Sequence, residues 1–475
     1  MERLVTSMTL CLSFGLGAAS VLADPVSNSA SNSVSEVPRR LPLEDPAEKE
    51  TVADVPWFVG EGDLARRVEA AVKTQEEGGF AGAVLVASGG KVVFASGAGA
   101  SGPKKGSPPN TANTVFEIAS LSKQFTAAAL LVLAQESKLS LDDPIADHFK
   151  KVPQECQKIT IRHLLQHTSG IPGTNSQGGG KDVDRVLPFF LRGGPMHEPG
   201  TRFEYWNQGY ALASAIVDEM KGRGFVDFSR KALFKPAGMT STGFTGDRPG
   251  RRVSVATGHG GEAPRTAFDH PYGSFGYQYQ GMGGVVTNVW DLWRWDRVLA
   301  SDEVLDESSR KAMFQPGHGD YGLGWFVREE DGEIVHSHSG SVRGFRSDMR
   351  RYPARDACVI VLSNLETAPT RELASELDGL VRGLDASWAS DLFGTYRDEK
   401  GKTLVVSSQG GRVGATLRWG PSADAPVTWA QLCKGADGEI LFDDGAAPVK
   451  VEVERTDSAV EAIVLGRSRL VRADD

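Results

Sequence analysis

The sequence predicts an α+β protein: an antiparallel sheet built from both ends of a large domain, a helical layer and helical subdomain packed on it, then a small all-β module. Three observations predict it. Strand-like runs, alternating or continuously apolar, stand near both ends of residues 57–385, and helical periodicities fill the space between them. After about residue 385 the pattern changes to short β-like runs separated by turn formers, as in a small antiparallel barrel or sandwich. The 475 residues suffice for two or three domains with a large core. A hydrophobic content of 40% and a charged content of 24% are globular values. The net charge of −9 argues against nucleic acid and anionic membrane surfaces as partners.

In chain order, residues 1–23 read as a secretory signal: Arg3 precedes a mostly apolar run from Leu4, and Val21-Leu22-Ala23 offers cleavage after Ala23. Glu2 cancels the charge of Arg3, and an uncleaved anchor is the rival reading. A cleaved signal implies a secreted or periplasmic protein, and no later stretch has the length and apolarity of a membrane span. Residues 24–56, rich in Ser, Asn, Pro and acids, form a flexible lead-in. Asp63 is placed to cap a helix through Lys73, with Leu64, Val68, Ala71 and Val72 on one face. Ala81–Ala87 and Lys91–Ala95 flank Ser88-Gly-Gly as a hairpin. A helix opens near Ser120 and runs apolar to Ala134, and Ile161-Arg-His-Leu-Leu begins a short helix ended by Thr168-Ser-Gly-Ile-Pro172. Residues 174–202 form a Gly-rich surface segment before a strong helix over Tyr210–Met220. Trp290, Trp293 and Trp295 in the helix Val289–Leu299 are core and groove wall rather than a cofactor box. Glu333–His338, Phe345–Tyr352 and Cys358–Ser363 read as adjacent strands. The module at 386–475 carries seven β-like runs, from Thr403–Ser407 to Ser468–Val471, and no evident catalytic constellation. Cys156, Cys358 and Cys433 fit no metal or redox spacing and imply no disulfide framework.

The chemistry centres on Ser120-Leu-Ser-Lys123. On a helix these two residues are one turn apart on one face. A serine hydroxyl is a weak nucleophile until a base takes its proton, and an amine serves once burial has made it neutral. The same Ser-x-x-Lys spacing recurs at Ser88/Lys91, Ser101/Lys104 and Ser308/Lys311, on a turn, a loop and a polar helix. Two further sites single out Ser120. Tyr205-Trp206-Asn207 stands before the Tyr210 helix, with a phenol able to relay protons and an amide offering donor and acceptor. His338-Ser339-Gly340-Ser341 stands at a strand end, where glycine allows close approach of a ligand and a backbone N–H faces a developing oxyanion. His336 and His338 share a strand face, but no further ligand stands nearby to complete a metal site.

These three motifs, in this order and separation, resemble the serine β-lactamase/penicillin-binding protein superfamily. Within it the chain is similar to the class C β-lactamase-related serine hydrolases, a group with D-alanyl-D-alanine carboxypeptidases, D-aminopeptidases and esterases. Ile161-Arg-His-Leu-Leu-Gln-His-Thr-Ser-Gly-Ile-Pro, Gly283-Gly-Val-Val-Thr and Tyr321-Gly-Leu-Gly-Trp support the resemblance, which covers about residues 60–385. It implies a β-lactamase/transpeptidase-like fold with a lipocalin-like C-terminal barrel and an acyl-enzyme mechanism without metal or other cofactor. Ser120 then resembles the acylated nucleophile, Lys123 its base partner and Tyr205 the proton relay, either of the last two being the acylation base. Asn207 would orient the substrate amide. His338, Ser339 and Gly340 would line the cleft, and the N–H groups of Ser120 and Ser341 would form the oxyanion hole. Arg343 has two readings, a carboxylate-binding group or a surface charge. True β-lactamases of this type show Lys-Thr-Gly where this chain has His-Ser-Gly. The expected substrates are therefore small amides, esters or short peptides, D-amino-acid-containing peptides first. A class C-type β-lactamase and a penicillin-binding-like sensor without turnover are the alternatives. The oligomeric state is left open.

Overall fold

The computed structural model describes residues 55–173, 180–221, 224–250, 253–261, 263–273, 275–422, 425, 427–434, 439–443, 449–456 and 459–473. The expected signal at 1–23, nearly all of the 24–56 lead-in and residues 174–179 lie outside the described residues.

The first strands are β1 (Phe58–Val59), β2 (Gly82–Ser88) and β3 (Lys91–Ala98), with α1 (Asp63–Glu77) between β1 and β2. β4 (Phe116–Glu117) enters a 3-10 turn, Ala119–Ser122, and then α2 (Lys123–Gln135). The helical part follows as α3 (Ile161–Leu165), α4 (Val183–Phe190), α5 (Asn207–Lys221) and α6 (Gly224–Ser229). Short strands β5 (Gly243–Phe244), β6 (Thr257–Gly258), β7 (Arg265–Thr266) and β8 (Val285–Thr287) precede α7 (Val289–Leu299) and α8 (Glu307–Met313). The domain ends with β9 (Phe326–Glu330), β10 (Glu333–Val342), β11 (Phe345–Tyr352), β12 (Ala357–Ser363) and α9 (Thr370–Arg382).

Among the described residues the main sheet has seven strands in the order β1-β3-β2-β12-β11-β10-β9, each pair antiparallel. Its two halves join where β2 pairs β12, Val84 opposite Val361. Side chains alternate across a strand, so Val84, Val86, Val359 and Val361 face α1 and α9, while Ala83, Leu85, Ile360 and Leu362 face the helical layer. Burying each such Val or Leu contributes about 1.5–3 kcal/mol relative to exposure. α2 is buried from Lys123 through Leu133 and runs through the middle of that layer, as a helix apolar on all sides must.

Several expectations change. Gly62, not Asp63, is the capping residue of α1; Asp63 lies in the first turn, and the helix continues past Lys73 to Glu77. The surface segment contains α4, whose Val186, Leu187 and Phe190 are buried. β9 was not foreseen, because Phe326-Val-Arg-Glu-Glu has only two apolar residues. β10 does not end near His338 but continues to Val342, so 339–341 are strand residues. Trp290 and Trp295 are core, and Trp295 donates to Gln124 Oε1 at 2.8 Å.

The C-terminal module is a closed barrel of eight strands: β13 (Gly394–Arg397), β14 (Thr403–Gln409), β15 (Arg412–Arg418), β16 (Val427–Lys434), β17 (Ile440–Asp443), β18 (Val449–Arg455), β19 (Val460–Leu465) and β20 (Ser468–Arg472). β13, absent from the expected set, closes it against β20. Tyr396, Leu404, Val406, Ala415, Leu417 and Leu432 fill its interior. The barrel docks on α9 through the β14–β15 turn. A side chain at Gly379 of α9 would strike the Gly410 carbonyl. Beside it Arg412, nearly buried, pairs with Asp378 and lies 3.1 Å from Glu330, while Arg382 reaches Glu333 at 3.1 Å. No helix among the described residues is long and apolar enough to cross a membrane.

Candidate active site

Ser120 sits where β4 ends and the helical layer begins. Ala119 before it takes φ 48°, a left-handed conformation uncommon for a residue with a side chain and concentrated at functional sites. Ser120 then lies in the 3-10 turn rather than in the helix expected for it, and α2 starts only at Lys123. Residues i and i+3 eclipse in a 3-10 turn, so the two side chains still meet, Nζ lying 3.0 Å from Oγ. Gly340 lets β10 lie close against the chain that enters this turn: a Cβ there would run into the Ile118 carbonyl and Ser347 Oγ. Ser347 Oγ itself donates to the Ile118 carbonyl at 2.8 Å, fastening the sheet to the chain that enters the turn.

Lys123 is completely buried and has three oxygen neighbours: Ser120 Oγ, Asn207 Oδ1 at 2.8 Å and the Met282 carbonyl at 2.9 Å. Burial disfavours its charged form and holds the amine well below its usual range. A neutral amine has two hydrogens and one lone pair. The Asn207 and Met282 oxygens accept only, so they take the two hydrogens and the lone pair is left facing Ser120. Tyr205, half-buried, is hydrogen-bonded to Ser120; burial raises its phenol pKa and the bond to Ser120 partly opposes that. Its ring lies over Lys123, with Nζ 5.0 Å from the centroid. The hydroxyl, the amine and the phenol therefore form one connected proton path, with Ser120 half-buried at its open end.

His338 and His336 share a face of β10, as the strand period predicts, with different surroundings. His336 stacks on Phe314, ring centroids 4.0 Å apart. His338 Nδ1 lies 2.6 Å from the Ser339 carbonyl, which can only accept, so Nδ1 carries the proton. Nε2 then accepts from the Tyr321 hydroxyl at 3.0 Å. Burial pushes this imidazole down to about 3, so it is neutral at any ordinary pH. Ser339 and Ser341 alternate onto the opposite face of the strand. His338 and Ser339, with Asp348, Arg350, Arg371 and Gln431 of the barrel, line a cleft of about 600 Å³ including its open mouth. β9 covers the edge of β10 only from Glu333 to Ser337, so the strand from His338 onward turns that edge to the site. Arg343 lies in the turn after β10, its carbonyl accepting from Arg265 Nε at 3.0 Å. Asn207 accepts from Lys123 through its amide oxygen, which keeps a second lone pair.

Several supports of the site carry no local sequence signal. Arg265 also pairs with the buried Glu117, which accepts from Tyr279, so one network joins the strand before Ser120 to the turn after β10. The Met282 carbonyl has no side-chain signal. Tyr321 and His167 stand inside Tyr321-Gly-Leu-Gly-Trp and the Ile161–Pro172 stretch, and their contacts arise only on folding. Of the other Ser-x-x-Lys pairs, Lys311 is exposed and paired with Glu307 at 2.8 Å.

The match to a known family gives the class: this is a serine hydrolase. The chain belongs to the beta-lactamase family, whose profile matches residues 64–382. A penicillin-binding protein of Bacillus subtilis (strain 168) is 32% identical over 315 residues, 60% of this chain and 68% of that protein. Solved structures share the fold, two of which illustrate it. The octameric penicillin-binding protein homologue from Pyrococcus abyssi superposes with a TM-score of 0.61 at 22% identity, over 86% of this chain and 100% of that one. The D-amino acid amidase from Ochrobactrum anthropi SV3 does so with a TM-score of 0.57 at 21% identity, over 68% and 99%.

Proposed function

We propose that the protein hydrolyses small amides, short peptides or esters through an acyl-enzyme on Ser120, with D-amino-acid-containing peptides as the favoured class. The observation that carries the mechanism is the triple coordination of Lys123, which leaves its lone pair on Ser120. Lys123 takes the Ser120 proton as Oγ attacks the substrate carbonyl. Tyr205, whose raised pKa keeps it a neutral phenol, passes its proton to the leaving nitrogen or oxygen and regains one from the Lys123 ammonium, which returns to the neutral amine. The tetrahedral oxyanion is received by the N–H groups of Ser120 and Ser341. The first N–H groups of a helical turn have no intrahelical acceptor, and the strand edge at 338–342 lies beyond the reach of β9. Water then releases the acyl group by the reverse proton path.

The neutral His338 supports peptide, amide or ester substrates over β-lactams, since no ammonium stands at that position for a lactam carboxylate. Export through residues 1–23 belongs to the proposal and is checked by N-terminal sequencing of the exported protein. The substrate test is a panel of D- and L-aminoacyl p-nitroanilides, D-Ala-D-Ala peptides, p-nitrophenyl esters and nitrocefin. Fastest turnover on a D-configured amide or peptide is expected. Fastest turnover on nitrocefin would replace the substrate class with β-lactams.

A further inference from the structure

His167 takes no part in the chemistry assigned to Ser120, yet it grips the chain on both sides of Tyr205. Its carbonyl accepts the N–H of Glu204 at 2.7 Å, and its Nδ1 accepts the N–H of Trp206 at 3.0 Å. Between these two bonds the imidazole lies against the Tyr205 ring, centroids 4.1 Å apart and planes 33° from parallel. Tyr321 and Tyr210 stand on its other sides, with centroids at 4.8 and 5.1 Å.

This arrangement is costly to keep. His167 has φ 56°, the left-handed conformation again, in the turn after α3. Because Nδ1 accepts, the ring proton is on Nε2, and Nε2 is buried with no hydrogen-bond partner among the described residues. A leucine of similar size would fill the space without stranding a donor. What a leucine lacks is the acceptor that holds Trp206 and the flat ring that sets the tilt of Tyr205.

We propose that His167 is a positioning residue that holds the Tyr205 hydroxyl on Ser120. The inference rests on the relay role proposed for Tyr205. Its test compares His167→Phe, which keeps a flat ring but loses the acceptor, with His167→Asn, which keeps an acceptor oxygen and tolerates positive φ. Active sites are counted by exhaustive fluorophosphonate labelling, and kcat is expressed per labelled site on the best substrate of the panel. A purely structural role lowers the number of labelled sites and leaves kcat per site alone. A positioning role is expected to lower kcat per site about a hundredfold in His167→Phe with little change in KM, since a displacement of about 1 Å costs that much. His167→Asn is expected to recover a large part of the loss. Parental kcat per site in both variants, a loss confined to KM, or equal losses in the two overturns the proposal. His167→Leu replaces His167→Phe if the latter does not fold. Tyr205→Phe is measured alongside: if it retains full kcat, the relay role itself fails, whereas silent His167 variants beside an impaired Tyr205→Phe defeat only this inference.

Discussion

Asn207→Asp changes one atom of the side chain and tests whether Lys123 acts as a neutral base. The substitution puts a carboxylate where an amide oxygen lies 2.8 Å from Nζ. At that separation and an effective dielectric constant near 20, the attraction favours the ammonium form by about 6 kcal/mol. The new carboxylate must itself be desolvated, which opposes part of this. Neighbouring titratable groups do not compensate, because burial keeps His167 and His338 neutral imidazoles and Tyr205 and Tyr210 neutral phenols. The net expectation is the shift usually caused by an adjacent opposite charge, about one to three pH units. The sign follows from the mechanism: the base works only when deprotonated, so activity rises with pH through its pKa, and a raised pKa moves the acid limb of kcat/KM upward. At a pH below the limb, activity falls about tenfold for each unit of displacement and recovers in alkali. The assay is a pH profile of kcat/KM on a p-nitrophenyl ester, with folding checked by circular dichroism. A limb that stays in place or moves down, in folded enzyme, refutes Lys123 as the neutral base.

Two further outcomes follow from the same geometry. Tyr205→Phe is expected to lower kcat by about 10²- to 10⁴-fold, the usual contribution of a positioned proton donor, while leaving the acid limb where it is in the parent; pre-steady-state kinetics on amide and ester substrates checks this. Arg412→Ala removes the nearest cation from the buried carboxylate of Asp378 at the junction of the barrel and α9, leaving it Arg382 at 3.8 Å and Arg350 at 4.0 Å, and is expected to lower stability by about 1–3 kcal/mol, read as a lower denaturation midpoint in urea.

The catalytic motifs were legible because they are local. Ser120 and Lys123 are three residues apart, Tyr205 and Asn207 two, and the residues of β10 are consecutive, so each cluster survives any uncertainty in tertiary placement. The sheet was legible where the pattern was strong, as in β2, β11 and β12. β9 escaped because an edge strand with one polar face carries little apolar signal, and β13 because Gly394 and Thr395 interrupt it. The extent of β10 was misjudged for a related reason: Ser339, Gly340 and Ser341 resemble a turn in composition, and only pairing with Ser347 and its neighbours on β11 makes them strand. The environment of Lys123 was out of reach. Its neutralising burial and its third partner, a backbone carbonyl at Met282, come from packing between segments about 160 residues apart in sequence. The same holds for the tautomer of His338, which is fixed by Tyr321 and by its own neighbour's carbonyl.

Trapping the acyl-enzyme is the most direct test of the central claim. A slowly deacylating D-aminoacyl ester or a fluorescent penicillin is mixed with the enzyme, quenched in acid and digested, and the modified peptide is sequenced by mass spectrometry. The adduct is predicted on Ser120, with both adduct and turnover absent from Ser120→Ala. Full turnover by folded Ser120→Ala, or an adduct on any other residue, would contradict the account.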